Sequence, residues 1–371
     1  MIYADNAATT KLDIDAFEAM KPFLLVNYGN ASQPYSFGVK AKRAMNEARK
    51  TIAECIGADS EEIYFTSGGT ESDNWAIKIG SIANNENGNI ITSQIEHHAV
   101  LHACEAVEQS GSEVIYLPVT HEAVVLPEYL EEVISSETAL VSVMMANNEV
   151  GSIQPIKELA EIAHKHGALF HTDAVQVVGH IDINVKDLDV DMLSASAHKF
   201  NGPKGIGFLY VRKGIELRPF MDGGAQERGM RAGTENVAGI IGMAVALKKS
   251  TMQIDINQQK LVQLEEIILT DLTEADIDYS RNGADYRLPG NLSLSFKFLE
   301  GEVILHRMDL CGICISTGSA CDSKNTQLSH VLKAMQLDEE YALGTVRISL
   351  SSNNTIEEAK QIANSLIHIC K

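Results

Sequence analysis

The sequence predicts an α/β protein with a large, mostly parallel sheet and a second, smaller α+β domain. Short apolar runs alternate with stretches of helical periodicity, which is the rhythm of βαβ units. Residues able to carry chemistry gather where those runs end, the face on which open α/β sheets bind ligands. The composition suits a folded core, since 45% of the 371 residues are hydrophobic and 22% are charged.

Taken in order, residues 39–56 (VKAKRAMNEARKTIAECI) space apolar side chains at helical intervals among charges, and Gly57 supplies a stop. A short strand is predicted over 62–66. SGGTESDNWAIKIG then reads as a glycine-rich turn opening a helix, and NIITSQIEHHAV as a strand running into another helix start. Residues 113–117, 139–145, 168–171, 192–194 and 207–211 are further strands, separated by helical stretches such as 156–166. Together they place the large domain over residues 16–250. Beyond it, 254–269 reads as a connecting helix and 292–296 and 346–350 as strands, and Thr355-x-x-Glu358 is a capping box before a final amphipathic helix. Residues 251–371, joined by 1–15, form the smaller domain.

Thirty Lys and Arg against 50 Asp and Glu leave a net charge of −20, which disfavours nucleic acid and anionic membranes as partners. The longest uncharged apolar run, 237–247, falls short of the roughly 18 residues a membrane span needs. The opening MIYADNAATT has neither the basic nor the apolar region of a signal peptide, and six scattered cysteines suit a reduced, cytoplasmic protein. Cys311 and Cys314 form one CxxC without a second close pair, so both read as buried, inert thiols rather than metal ligands.

In DMLSASAHKFNGPKGIGFLYV, Lys199 follows a strand on a rigid mount beside Ser196 and His198, which suits a Schiff-base lysine with two phosphate donors; a surface lysine on a polar loop is the alternative. Gly68 and Gly69 in SGGTES offer backbone N–H groups at a helix start, a phosphate cradle to which Thr70 adds a hydroxyl, while Glu71 merely suits a first helical turn. Asp173 ends an apolar strand and needs a cationic partner such as a protonated pyridine nitrogen, unless it only caps the following helix. Gln176 and Asn148 are placed to donate to a ring hydroxyl, and His97 or His98 to stack on a flat ring or relay protons.

With YADNAATT, FTSGGTESDNWAI, EHHAVL, NNEVGSIQPI, HTDAVQ, GGAQERGMRAGTEN, STGSACDS and SHVLKAMQL added, nearly the whole chain resembles the cysteine desulfurases of the NifS/IscS type. The resemblance implies a fold-type-I pyridoxal-phosphate enzyme. It assigns the Schiff base to Lys199, the pyridine nitrogen to Asp173, the ring face to His97 and the ring hydroxyl to Asn148 and Gln176. Gly69, Thr70, Ser196 and His198 match phosphate positions, and Thr234 matches one that reaches across a homodimer interface. Arg347 matches the arginine that grips the substrate carboxylate, Asn30 a second carboxylate contact, and Cys321 the sulfur-accepting cysteine on a loop of the family's first class. The sequence departs from the family pattern at Ala31, Tyr35, Ala225 and Ser351-Ser352. The implied reaction turns L-cysteine into L-alanine and leaves a persulfide on Cys321 for an acceptor protein in iron–sulfur cluster assembly or thiolation. The rival readings are a selenocysteine lyase, an aminotransferase-like enzyme, or a non-catalytic metal-binding protein using Cys311, Cys314 and Cys321.

Overall fold

The computed structural model describes residues 1–80, 88–317 and 328–371. In chain order its strands are β1 (Ile2–Tyr3), β2 (Ile63–Thr66), β3 (Asn89–Ser93), β4 (Val114–Leu117), β5 (Thr138–Ser142) and β6 (Leu169–Asp173). They continue with β7 (Met192–Ser196), β8 (Gly207–Val211), β9 (Tyr279–Arg281), β10 (Asn291–Phe296), β11 (Ile313–Cys314) and β12 (Thr345–Ser349).

The main sheet has seven strands in the order β2-β8-β7-β6-β5-β3-β4. Only β8 runs against its neighbours. Both faces are covered, because successive residues of a strand point to opposite sides. Phe65, Ile91, Val141, Phe170, Leu193 and Phe208 enter one core with helices such as Ser36–Cys55 and Val237–Met252. Ile90, Leu140, Met192 and Leu209 enter another, with Trp75, Val100 and Cys104. Within helix Ser36–Cys55 the buried residues Ala41, Met45, Ala48 and Ile52 recur at three- and four-residue intervals, and the chain turns out of it at Gly57 with φ of 70°.

Strands β12-β10-β9 make a three-stranded antiparallel sheet. Its core takes Leu292, Phe296 and Ile348 with Leu264, Ile268, Ile304, Ile362 and Leu366 from the helices Ile254–Glu274, Gly301–Leu310 and Ile356–Cys370. Ile2 and Ala4 join that core, and β1 pairs in parallel with β11. The Thr355–Glu358 capping box forms at the start of the last helix. Val331, Leu332 and Met335 instead pack into the first core of the large sheet, so the chain returns to it after residue 327. Among the described residues, no helix is long and apolar enough to cross a membrane.

The expectation of two buried thiols in the CxxC fails at Cys311, which is exposed, while Cys314 is half-buried in β11. Cys311 follows the last turn of helix Gly301–Leu310, where the chain reverses through Gly312 with φ of 75° and leaves that side chain outside the core.

Candidate active site

Five parallel strands, β2, β3, β5, β6 and β7, end on one side of the sheet, and the segments leaving them wall a cavity of about 530 Å³. Segment 67–70 follows β2, His97 and His98 follow β3, Asn148 and Glu149 follow β5, Asp173 closes β6, and Lys199 ends the short turn after β7. Ala7, Ala8, Thr9 and Arg347 close it from the N-terminal segment and β12. The sheet thus delivers to one place residues far apart in the chain.

Lys199 Nζ donates to the carbonyl oxygens of Ala7 at 2.5 Å and Ala8 at 3.0 Å. Gln176 Nε2 donates to the same Ala7 carbonyl at 3.0 Å. Asp173 is buried, its Oδ1 accepting the Val175 N–H at 2.9 Å. Burial pushes its carboxyl up to about 6, against the opposing pull of that N–H and of Lys199. The helix-cap alternative for this aspartate fails, because β6 runs into a turn and not a helix, and the side chain instead holds the backbone two residues on.

His97 caps the helix His98–Gln109, its Nδ1 accepting the Ala99 N–H at 3.1 Å. Burial, with Lys199 and three neighbouring histidines adding to it, brings His97 down to about 4, so the ring is neutral near pH 7. His198 is likewise lowered to about 4, by burial first and then by Lys199 and Lys204. Its Nδ1 lies 3.1 Å from Thr9 Oγ1.

The cradle after β2 is made of backbone. Gly68 has φ of 152°, a Cβ on Gly69 would lie 2.6 Å from Val175 Cγ2, and one on Gly207 would lie 2.7 Å from Gly68 Cα. Side chains are excluded there by space and by conformation.

Arg347 is 3% exposed. Its Nη1 donates to the Asn148 carbonyl at 2.9 Å and its Nη2 to Asp5 Oδ1 at 2.8 Å. Its Nε, also buried, has no hydrogen-bond partner among the described residues.

Residues 2–362 match the aminotransferase class-V family. The chain is 47% identical over 362 residues to "Cysteine desulfurase IscS" of Methanosarcina thermophila, covering 97% of this chain and 90% of that one. The chain belongs to the NifS/IscS-type cysteine desulfurases. A second such desulfurase, from Dictyoglomus turgidum, is 48% identical over 96% of this chain and 91% of its own. Among solved structures, a "NifS-like protein" superposes with a TM-score of 0.93 at 38% identity, over 99% of this chain and 98% of that one. "SspA in complex with cysteine" does so at 0.84 with 36% identity, over 96% and 100%. The architecture is that of the fold-type-I pyridoxal-phosphate enzymes within this desulfurase family.

Of the residues singled out from the sequence, Gly69, Thr70, His97, Asn148, Asp173, Gln176, Ser196, His198, Lys199 and Arg347 all line the one cavity. Asn30 and Thr234 do not. Asn30 is exposed, its Oδ1 accepting the Ser32 N–H at 2.8 Å, and Thr234 is exposed beside a smaller cavity of about 190 Å³ that shares Ser67 and Gly205 with the first. Cys321 and the segment to Gln327 lie outside the described residues.

Sequence reading missed several residues that hold the site of this desulfurase together. Asp5 pairs with Arg347, although the two lie 342 positions apart. Glu71 does more than suit a helix start: its carboxylate takes the Ser67 N–H at 2.9 Å and pairs with Arg231 at 2.7 and 3.0 Å. Behind the cavity, Glu96 is fully buried and raised to about 8 by burial, although Ser93 Oγ at 2.6 Å and the Met144 N–H at 2.9 Å both donate to it. Each of these acids stands among polar neighbours, in YADNAATT, SGGTESDN and TSQIEHH, and nothing there names its partner.

Proposed function

We propose that this chain converts L-cysteine to L-alanine, passing the sulfur to Cys321 as a persulfide and from there to an acceptor protein. The balance is simple: an enzyme thiol and cysteine give a persulfide and alanine, so one S–S bond forms as one C–S bond breaks. The observation that carries the reading is the convergence of Lys199, Asp173, His97 and Arg347 on one cavity at the strand ends of a desulfurase fold. The solved complex of a relative with cysteine supports the choice of substrate.

The residues present fit pyridoxal phosphate. A cradle that admits no Cβ at Gly69 suits a phosphate group, and the buried carboxyl of Asp173 suits a protonated ring nitrogen. Lys199 would hold the cofactor covalently, Gly69, Thr70, Ser196 and His198 its phosphate, Asn148 and Gln176 its ring hydroxyl, and His97 its ring face. When bound, pyridoxal phosphate supplies a carbonyl that joins amines and a ring that takes up the electron pair left on the substrate carbon. The chain does the rest. Arg347 binds the substrate carboxylate, and Asp5 fixes its guanidinium. Lys199 Nζ moves the α-proton, and the Cys321 thiolate attacks the substrate sulfur.

This reading takes residues 16–250 as the cofactor domain and 1–15 with 251–371 as the smaller one, apart from the helix His330–Ala334, which packs on the core of the large sheet. It makes the enzyme a cytoplasmic homodimer in which Thr234 serves the partner subunit's site. The acceptor is a protein of iron–sulfur cluster assembly or of a thiolation route.

Product analysis tests the reaction. Cysteine and a thiol reductant should yield alanine and sulfide in equal amounts. A keto acid would point to an aminotransferase, and turnover with selenocysteine alone to a lyase of that substrate.

A further inference from the structure

Thr9 and Thr10 stand 189 and 188 positions from His198 in the chain, yet both are bonded to it. The two threonines do different work. Thr10 fixes the backbone: its N–H and its hydroxyl both donate to the His198 carbonyl oxygen at 2.9 Å, and its Oγ1 accepts the Asn201 N–H at 2.9 Å. Thr9 meets the ring, with Oγ1 3.1 Å from His198 Nδ1. The segment carrying Thr9 is itself held, since the Tyr3 hydroxyl donates to the Thr9 carbonyl at 2.8 Å and Lys199 Nζ donates to the carbonyls of Ala7 and Ala8. Both Thr9 and His198 line the cavity that fits the cofactor.

A hydroxyl beside Nδ1 suits either tautomer of a neutral imidazole, because it can give a hydrogen or accept one. The ring is neutral near pH 7, since burial withdraws it from water and Lys199 and Lys204 place two positive charges near it. It therefore carries one hydrogen, on one of its two nitrogens. With that hydrogen on Nδ1, Nε2 would offer an anion only a lone pair, and the contact would repel. With it on Nε2, that nitrogen becomes a donor, and the lone pair left on Nδ1 needs a donor of its own. Thr9 Oγ1 stands at the right distance to be that donor.

We propose that Thr9 is a positioning residue for the cofactor's phosphate: its hydroxyl donates to His198 Nδ1 and so keeps the ring hydrogen on Nε2, where a neutral histidine can donate to an anion. Thr9 acts through His198 and not on the phosphate itself. The inference rests on the pyridoxal-phosphate reading of the cavity above.

Thr9→Val tests it by keeping the shape of the side chain while removing the hydroxyl, and Thr9→Ser restores the hydroxyl. The affinities of the full-length, cofactor-free chain for pyridoxal phosphate and for pyridoxal, which lacks the phosphate, are measured by equilibrium dialysis at pH 7. Thr9→Val should bind pyridoxal phosphate about tenfold more weakly than the wild type and bind pyridoxal as the wild type does. Thr9→Ser should match the wild type for both. A second readout is nitrogen NMR of the His198 ring in the wild-type holoenzyme, assigned by its absence from His198→Gln, which should show the hydrogen on Nε2. An unchanged affinity for pyridoxal phosphate in Thr9→Val, an equal loss for pyridoxal, a Thr9→Ser as weak as Thr9→Val, or a wild-type ring with its hydrogen on Nδ1 would each overturn the assignment. Should Thr9→Val not fold, the wild-type tautomer decides the question alone. A wild type that binds no pyridoxal phosphate would overturn the cofactor reading itself, and this inference with it.

Discussion

Arg347 is nearly all buried, yet two of its nitrogens are spent on Asp5 and on the Asn148 carbonyl while Nε has no partner among the described residues. An unpaired buried donor costs about 1–3 kcal/mol, a cost that an arriving carboxylate offsets. Charge-assisted pairs of this kind contribute about 1.5–3 kcal/mol, so Arg347→Ala should raise KM for cysteine by roughly one to two decades. The bound cofactor's spectrum should be unchanged, and an unaltered KM would count against the role. His198 gives a pH prediction of its own. Its folded value of about 4 lies below the ordinary 6.5, so between those pH values the unfolded chain holds the extra proton and stability rises with pH. The difference in melting temperature of the cofactor-free protein between pH 4.5 and pH 6.5 should therefore shrink in His198→Gln. Asp173, raised to about 6, acts with the opposite sign over part of that window, which is why the comparison is between variant and wild type.

At the level of elements, β8 passes in close backbone contact under the phosphate cradle. A Cβ on Gly207 would sit 2.4 Å from the Ala195 carbonyl oxygen and 2.7 Å from Gly68 Cα, and both obstacles are backbone. Gly207→Ala should thus lower stability by about 1–3 kcal/mol and loosen the bound cofactor, as read by thermal melts and equilibrium dialysis. Much of this layer was legible in the sequence. The run at 207–211 is apolar along its length and became β8, and the Thr355–Glu358 box marked a helix start because its bonds are local. Strand direction was not legible, since an apolar run reads alike in both directions and β8 turned out antiparallel. Lys199 and Asp173 stood out because a charge at the end of an apolar strand is costly unless it is used. Asp5, Glu71 and Glu96 did not, because their roles depend on Arg347, Arg231 and the Met144 N–H, and composition names no such partner. The exposure of Cys311 turned on a single reversal at Gly312.

Across the whole molecule, two cores meet at one cavity, with Arg347 from the three-stranded sheet facing Lys199 from the large one. Thr234 stands outside that cavity, which suits service to a second subunit. A mixed dimer of Lys199→Ala and Thr234→Ala chains should then hold one site with both lesions and one intact site. Its intact site should bind cofactor as tightly as wild type, whereas a threonine acting within its own chain would leave no site intact. The central claim is that the Lys199 cavity takes sulfur from cysteine and hands it to Cys321, and mapping the persulfide by mass spectrometry after cysteine treatment tests it most directly. The account predicts one added sulfur on the Cys321 peptide of the wild type and none in Lys199→Ala. Added sulfur on Cys311 or Cys314, or on Cys321 in the absence of Lys199, would contradict it.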